Sequence, residues 1–313
     1  MPERLRPRWS VVIPAYDCAA FLRDSLGGVL AQDPGSETME IVVVDDHSHD
    51  DCEGTVRALA GDRVKYTRQP RNVGLVANLN TCLRHATGEL VHILHADDIV
   101  ARGFYSAMDA VFANDPTLGA AFCRVTYRDV RSGTDSIEPP LQENGGLIPN
   151  ALNRILLSAP QMVASVVRRD VYESIGGFDT RFTCSCEDWE MWVRVAMHYP
   201  IGYEPTALAT YRFMRDGSLT SVHRETGRYA ADLALAHSVV DSYAPPAYRD
   251  LLSQARHGSA DWILDQVAIP LSLEGKTVPT IRNVCHALRC SPSLKNFRTG
   301  FRCLTNLLRG RPS

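Results

Sequence analysis

The chain has 313 residues, enough for one large domain or two modest ones around a real buried core. Apolar residues make up 45% and charged residues 22%, and 33 basic against 36 acidic side chains leave a formal charge of −3. That balance argues against a dedicated nucleic-acid binder, and the longest apolar runs, such as Ile41–Val44, are far too short to cross a bilayer.

Residues 1–8 are basic and hold two prolines, with no apolar stretch behind them, so no secretory signal is expected and the protein reads as cytoplasmic. The nine cysteines form no Cys-x-x-Cys pair, and only Cys184 and Cys186 stand close together. Reduced thiols acting as small hydrophobes are the expectation, rather than a zinc site.

In chain order, Ser10–Ile13 reads as a buried strand stopped by Pro14, and Asp17 as the N-cap of a helix reaching Gln32. A strand at 41–44, a helix over 52–60 and a strand at 64–67 follow. Leu75, Leu79, Cys82, Leu83 and Ala86 share one helical face, with Gly88 as the expected C-cap. Next come a strand at 90–94, a helix near 104–113 and a strand at 119–123. Strands separated by single helices predict an α/β fold with a mainly parallel sheet, helices on both faces. From 125 to 223 the pattern is irregular, apart from a core strand at 163–167 and a helix at 187–198. Beyond Glu225 the chain reads as successive helices, broken at Pro245–Pro246, Pro270, Pro279 and Pro292.

Ligands of open parallel sheets bind at the carboxyl ends of the strands. Three such ends carry polar residues: Pro14-Ala15-Tyr16-Asp17, Asp45-Asp46-His47-Ser48 and His95-Ala96-Asp97-Asp98. Neighbouring carboxylates repel unless a cation or hydrogen-bond donors join them. Asp97-Asp98 suits a divalent metal bridging to a diphosphate, since hard oxygen ligands match Mg²⁺ or Mn²⁺, and Asp45-Asp46 suits a base N–H or a ribose hydroxyl. An ordinary polar loop accounts better for His47 and His49 than a second metal site does. No Gly-x-Gly-x-x-Gly follows the first strand, and neither a Walker A sequence nor a nucleophile elbow occurs.

Ser10–Asp17 (SVVIPAYD), Glu40–Ser48 (EIVVVDDHS), Leu90–Asp98 (LVHILHADD) and Gly176–Asp179 with Glu187–Arg194 (GGFD, EDWEMWVR) together resemble the family 2 glycosyltransferases, in order and spacing over about 9–220. The resemblance implies a GT-A fold and transfer, with inversion, of a sugar from a nucleotide diphosphate sugar, UDP-linked in the leading reading, with Mg²⁺ or Mn²⁺. A dTDP- or GDP-sugar donor is the alternative within enzymes, and a non-catalytic sugar or nucleotide binder the alternative outside them. It also implies a glycosyltransferase domain over 1–223, its nucleotide-sugar half at about 9–124 and acceptor half at about 125–223, then a helical extension at 224–313.

Residue by residue, the resemblance implies that Pro14, Ala15 and Tyr16 line the nucleobase pocket with Asp17 adjoining. Asp46 would accept from the base beside Asp45, Asp97 would contact ribose or donor sugar, and Asp98 would ligate the metal. Asp188 would be the catalytic base, Gly176 and Gly177 would admit the donor sugar to the backbone, and Glu187 and Trp189 would face the acceptor. Leu79 stands where many relatives carry an arginine, so Asn78 or Arg71 would serve the diphosphate. Met214 replaces a frequent histidine, so Asp216 or His223 would complete the metal site, or the metal would be held loosely. The acceptor could be a saccharide, a lipid-linked saccharide or a small natural product.

The last 38 residues hold eight cations and no Asp or Glu, which leaves −11 on residues 1–275. An acidic body binding an anionic donor is a further reason to expect a cation. Leu294, Phe297, Phe301, Leu304 and Leu308 recur at helical spacing beside Arg298, Arg302 and Arg309. Such a helix can lie on an anionic membrane, giving peripheral attachment to its inner face. Packing of the stripe on the acidic body or in a homodimer is the favoured expectation, because Gly300 and the modest length make a poor anchor.

Overall fold

The computed structural model describes residues 6–213 and 219–309. The strands are β1 Trp9–Ala15, β2 Met39–Asp45, β3 Lys65–Arg68, β4 Leu90–Ile93, β5 Ile99–Val100, β6 Ala120–Asp129, β7 Asp135–Ile137, β8 Gly146–Leu147, β9 Ser165–Arg168 and β10 Ile201–Phe213. Helices α1 Ala19–Leu30, α2 Cys52–Ala60, α3 Leu75–His85, α4 Phe104–Asn114, α5 Ala151–Leu157, α6 Arg169–Ile175 and α7 Glu187–His198 lie among them. The chain ends in α8 Leu219–Thr226, α9 Arg228–Tyr243, α10 Arg249–Ile263, α11 Ile269–Leu273, α12 Thr277–Cys290 and α13 Leu294–Arg309.

The chain divides into two compact units. The first comprises residues 1–151, 160–178 and 194–215, and the second 152–159, 179–193 and 216–313. Segment 179–193, with its Glu-Asp motif, therefore groups with the terminal helices.

All strands of the first unit join one sheet of order β3-β2-β1-β4-β9-β6-β10-β5, with β7 on β6 and β8 on β10. The expected α/β architecture is present: β3, β2, β1 and β4 run parallel, while β9 runs antiparallel to β4 and β6. All seven residues of β1 are buried, as are Ile41–Asp45 of β2, which explains their continuous apolar runs: a parallel strand covered on both faces has no polar side to show.

The irregular reading of 125–223 missed the longest strand. β10 runs parallel to β6 for most of its length, and β6 itself extends to Asp129. Pro205 cannot donate to a ladder, and the register shifts between Glu204, Ala207 and Ala209 break the alternation that would mark a strand.

Two helix caps also differ from expectation. Asp17 has φ +46° and is not the cap of α1; the amide of Ala19 donates to Asp50 Oδ2 at 2.7 Å instead. Helix α3 ends on Ala86, and Gly88 is glycine because a Cβ there would stand 2.6 Å from the Trp9 carbonyl carbon.

In the second unit, Ala230, Ala260, Ala268, Ala287 and Cys303 join Ile263, Leu264 and Val284 in one buried cluster. The break expected at Pro279 is present: α11 ends at Leu273, and Pro279 sits in the first turn of α12. The one expected at Pro270 is absent, because the helix passes into that proline through a π-helical stretch at Leu264–Ala268, which absorbs the missing N–H. All nine cysteines are free thiols, and seven of them are buried. No helix among the described residues is long and apolar enough to cross a membrane.

The tail overturns one expectation. Helix α13 does not pack its apolar stripe on the body: Leu294, Phe297, Phe301, Leu304 and Leu308 are exposed, while Asn296, Gly300, Cys303 and Leu307 are buried. Gly300, read as a weakness, permits close packing, since a Cβ there would stand 2.8 Å from Val284 Cγ1.

Candidate active site

Strand order reverses between β1 and β4, the place where open α/β sheets bind ligands. The β1–β4 register ends at Val12 and Ile93, and Pro14, which has no amide proton, lies just beyond it. On the other side Ala15 pairs with Asp45, and the amide of Asp46 donates to Ala15 O at 2.8 Å. The PAYD and DDHS segments are thus brought side by side. Pro14 and Ala15 are buried, whereas Tyr16 is 45% exposed and meets the His49 ring edge-on at 6.1 Å. The Asp17 carboxylate accepts from the His49 amide at 2.6 Å, and its own amide donates to Ser48 Oγ at 3.0 Å.

The adjacent aspartates differ in what surrounds them. Asp45 is fully buried and spends its oxygens inside the protein, on the Ser48 amide and hydroxyl, on Tyr66 Oη at 2.6 Å and on Arg68 Nη1 at 3.1 Å. It braces the loop rather than offering acceptors to a nucleotide. Among the described residues the Asp46 carboxylate accepts from the amides of Val73 at 2.7 Å and Gly74 at 2.9 Å, which leaves acceptor capacity on its two oxygens. Burial pushes its carboxyl above the usual range, although those amides favour the charged form. Asn78, expected near the diphosphate, is buried, donates to Val44 O at 2.9 Å and accepts from Gln69 at 3.3 Å, so it fastens α3 to β2. His47 stands at φ +67°, a left-handed conformation that glycine adopts at no steric cost.

At the end of β4, His95, Asp97 and Asp98 place ligand atoms within 4.8 Å of one another, and Nε2 of His95 is buried with no hydrogen-bond partner among the described residues. Imidazole with two carboxylates suits Mn²⁺ better than Mg²⁺, so the residues fit the implied ion. Strand β10 buttresses this corner. The Arg212 amide donates to Asp98 Oδ1 at 2.9 Å, and its guanidinium bonds Asp97 O and reaches Asp24 Oδ2 at 2.8 Å. Nothing in the sequence singles out Arg212; in the same segment the expectations fall on Met214 and Asp216. Met214 and Asp216 lie outside the described residues.

Gly177 has a structural reason to be glycine. Asn80 forms paired bonds with the Phe178 backbone, both 2.9 Å, and a Cβ on Gly177 would stand 2.2 Å from Asn80 Oδ1. Arg194 secures the same turn through Ile175 O and Gly177 O, both at 2.8 Å.

In the second unit Cys186 has φ +66° and α7 opens directly on Glu187 and Asp188. The Trp189 amide donates to Asp188 Oδ1 at 2.7 Å, and its indole N–H to Ile155 O at 2.8 Å, which fixes the ring edge-on to His237. The loop before the motif is tied by Asp232 of α9, whose Oδ2 accepts from the amides of Thr183, Cys184 and Ser185 at 2.9, 2.8 and 3.2 Å. His223 of α8 belongs to this unit, and burial lowers its pKa.

Glu187 is buried with Oε2 unpartnered among the described residues, and burial, with Asp188 beside it, pushes its carboxyl up to about 8. The folded state then holds a proton that the unfolded chain releases above its ordinary value of 4.5, so this group's stabilisation is full below 4.5 and fades as pH rises through about 8. Melting curves between about pH 5 and 9 are expected to fall more steeply for the wild type than for Glu187→Gln; parallel curves would refute the shift.

A mainly parallel sheet with acidic residues at its order reversal, and a carboxylate–imidazole cluster on the next strand, defines the GT-A class of nucleotide-sugar transferases. Residues 10–176 match glycosyl transferase family 2, and the chain belongs to that family. It is a glycosyltransferase.

An uncharacterized protein of Mycobacterium tuberculosis, MT1568, is 28% identical over 78% of this chain and 79% of its own. A GalNAc(5)-diNAcBac-PP-undecaprenol beta-1,3-glucosyltransferase of Campylobacter jejuni is 33% identical over 33% of each chain. The fold is that of S. aureus TarS 1-349, solved with UDP-GlcNAc (TM-score 0.69, 15% identity, 96% of this chain and 88% of that one). The Pyrobaculum calidifontis mannosyltransferase PcManGT, solved with GDP-Man and Mn²⁺, also shares it (TM-score 0.59, 22% identity, 98% and 83%).

Proposed function

We propose that the chain is an inverting transferase that moves a sugar from a UDP-linked donor to an acceptor hydroxyl, with Asp188 as general base and Mn²⁺ or Mg²⁺ at Asp98. The observation that carries this reading is the end of β4, where His95, Asp97 and Asp98 converge and one imidazole nitrogen is buried without a partner among the described residues. The TarS complex with UDP-GlcNAc supports the choice of base.

In this reading Asp46, aligned by the Val73 and Gly74 amides, accepts the base N–H, and the exposed Tyr16 ring offers it a stacking surface. Asp97 takes the ribose or donor sugar. A metal held by Asp98 with His95 and Asp97 supplies Lewis-acid stabilisation of the departing diphosphate. Asp188 takes the proton of the acceptor hydroxyl as that oxygen attacks the anomeric carbon and the bond to the diphosphate breaks. Attack opposite the leaving group inverts the carbon, and no covalent enzyme intermediate is needed. Glu187 and Trp189 flank the acceptor.

The test is a thermal-shift comparison of UDP-, GDP- and dTDP-sugars with Mn²⁺ and with EDTA. At about 100 times Kd, a bound donor adds roughly 2.7 kcal/mol of stability. The UDP-sugar with Mn²⁺ is expected to give the largest shift, and EDTA or Asp98→Ala to remove most of it. An equal shift in EDTA would sink the metal role, and a larger shift with a GDP-sugar would sink the UDP assignment.

A further inference from the structure

Helix α13 has two faces with different tasks. At 100° per residue, Asn296, Gly300, Cys303 and Leu307 share one arc, and all four are buried among the terminal helices. Leu294, Phe297, Phe301, Leu304 and Leu308 share another arc, of about 80°, and are between 39% and 79% exposed. Five large apolar side chains on one stripe exceed the scattered exposed leucines of an ordinary surface and mark a surface that something covers. The packed helix α12 adds Val278 and Ile281, 63% and 43% exposed.

The occupant is indicated by charge. Arg298 and Arg302 border the stripe on the arc beside Leu294, and both are exposed. Among the described residues, the ion pairs of this basic segment use Lys276 and Lys295, not these arginines. No Asp or Glu occurs from Lys276 onward, so two copies meeting face to face through α13 would oppose like charges with no carboxylate from the segment to relieve them. An anionic bilayer supplies both requirements: acyl chains for Phe297, Phe301 and the leucines, and phosphate for the arginines. The helix has 16 residues, about 24 Å, and its buried arc stays on the protein, so it lies along an interface instead of crossing it.

We propose that the outward face of α13, with Val278 and Ile281 of α12, seats the protein on the surface of an anionic membrane. The proposal stands on the second unit alone and does not depend on the donor or metal assigned above.

The test is flotation of the full chain with vesicles of phosphatidylcholine, or of phosphatidylcholine with an equal part of phosphatidylglycerol, at about 0.1 M and 0.5 M salt. The wild type is expected to float with the anionic vesicles and to lose at least about tenfold in partitioning on neutral vesicles or at the higher salt. Phe297→Ser with Phe301→Ser, and separately Arg298→Glu with Arg302→Glu, are expected to lose at least about tenfold each, with unchanged melting curves. Wild type left in the dense fraction with anionic vesicles overturns the proposal, as does flotation that neither double variant weakens. So does a dimer in sedimentation equilibrium that Phe297→Ser with Phe301→Ser dissociates while no vesicle binding is seen.

Discussion

Asp188→Asn is expected to lower sugar transfer by about 10²- to 10⁴-fold while nucleotide-sugar affinity stays within about twofold. Asparagine is nearly isosteric and its Oδ1 can still accept from the Trp189 amide, so the first turn of α7 keeps its geometry. Only the capacity to take a proton is lost. Single-turnover transfer together with donor titration separates the two quantities. Turnover near the wild-type rate would remove Asp188 as the base, and a parallel collapse of donor affinity would make it a binding residue instead. Glu187→Gln is the matched control: its carboxyl is held neutral near pH 7 by burial and by Asp188, so an amide there should preserve most of the rate.

Asp232→Ala is expected to destabilise the second unit by about 3 kcal/mol and to reduce transfer with it. One carboxylate oxygen accepts three successive amides at 183–185, and alanine leaves those donors without it next to a buried Cys184. The loop runs directly into Cys186, held at positive φ, and then into Glu187 and Asp188, so its loosening is expected to move Asp188, the proposed base. Asp232→Asn keeps an acceptor without the charge and should fall between alanine and wild type. An alanine variant that melts with the wild type would show that the loop holds itself. Asp232 thus acts through the backbone as a positioning residue.

Much of the donor side was legible because its chemistry is written in contiguous segments. A strand buried on both faces must be apolar throughout, and it must end where polar groups can meet a ligand. Trp9–Ala15, Met39–Asp45 and Leu90–Ile93, each followed by its acidic segment, therefore show in the sequence. What those segments do individually was not legible. Asp45 and Asp46 are chemically identical neighbours, and only their surroundings separate them: Ser48, Tyr66 and Arg68 saturate the first, while two amides hold the second. Asn78 likewise looked available until α3 was seen fastened to β2 through it.

The parts that stayed hidden depend on residues far apart in the chain. β10 is concealed by Pro205 and its bulges, yet it delivers Arg212 to Asp98 across 114 positions. Asp232 lies 47 to 49 residues from the amides it holds, a separation that no local periodicity reports. The tail is the sharpest case. Apolar periodicity ordinarily marks the face turned to the core, but in α13 the core takes the arc of Gly300 and Cys303, because small side chains let helices approach closely. Sequence by itself determined the α/β class, the acidic strand ends and the charge division between body and tail, since these follow from composition and local spacing. The tertiary structure decided which carboxylate is saturated, what supports the Glu-Asp loop and which face of α13 meets solvent, because each is a matter of which neighbour occupies the adjoining space.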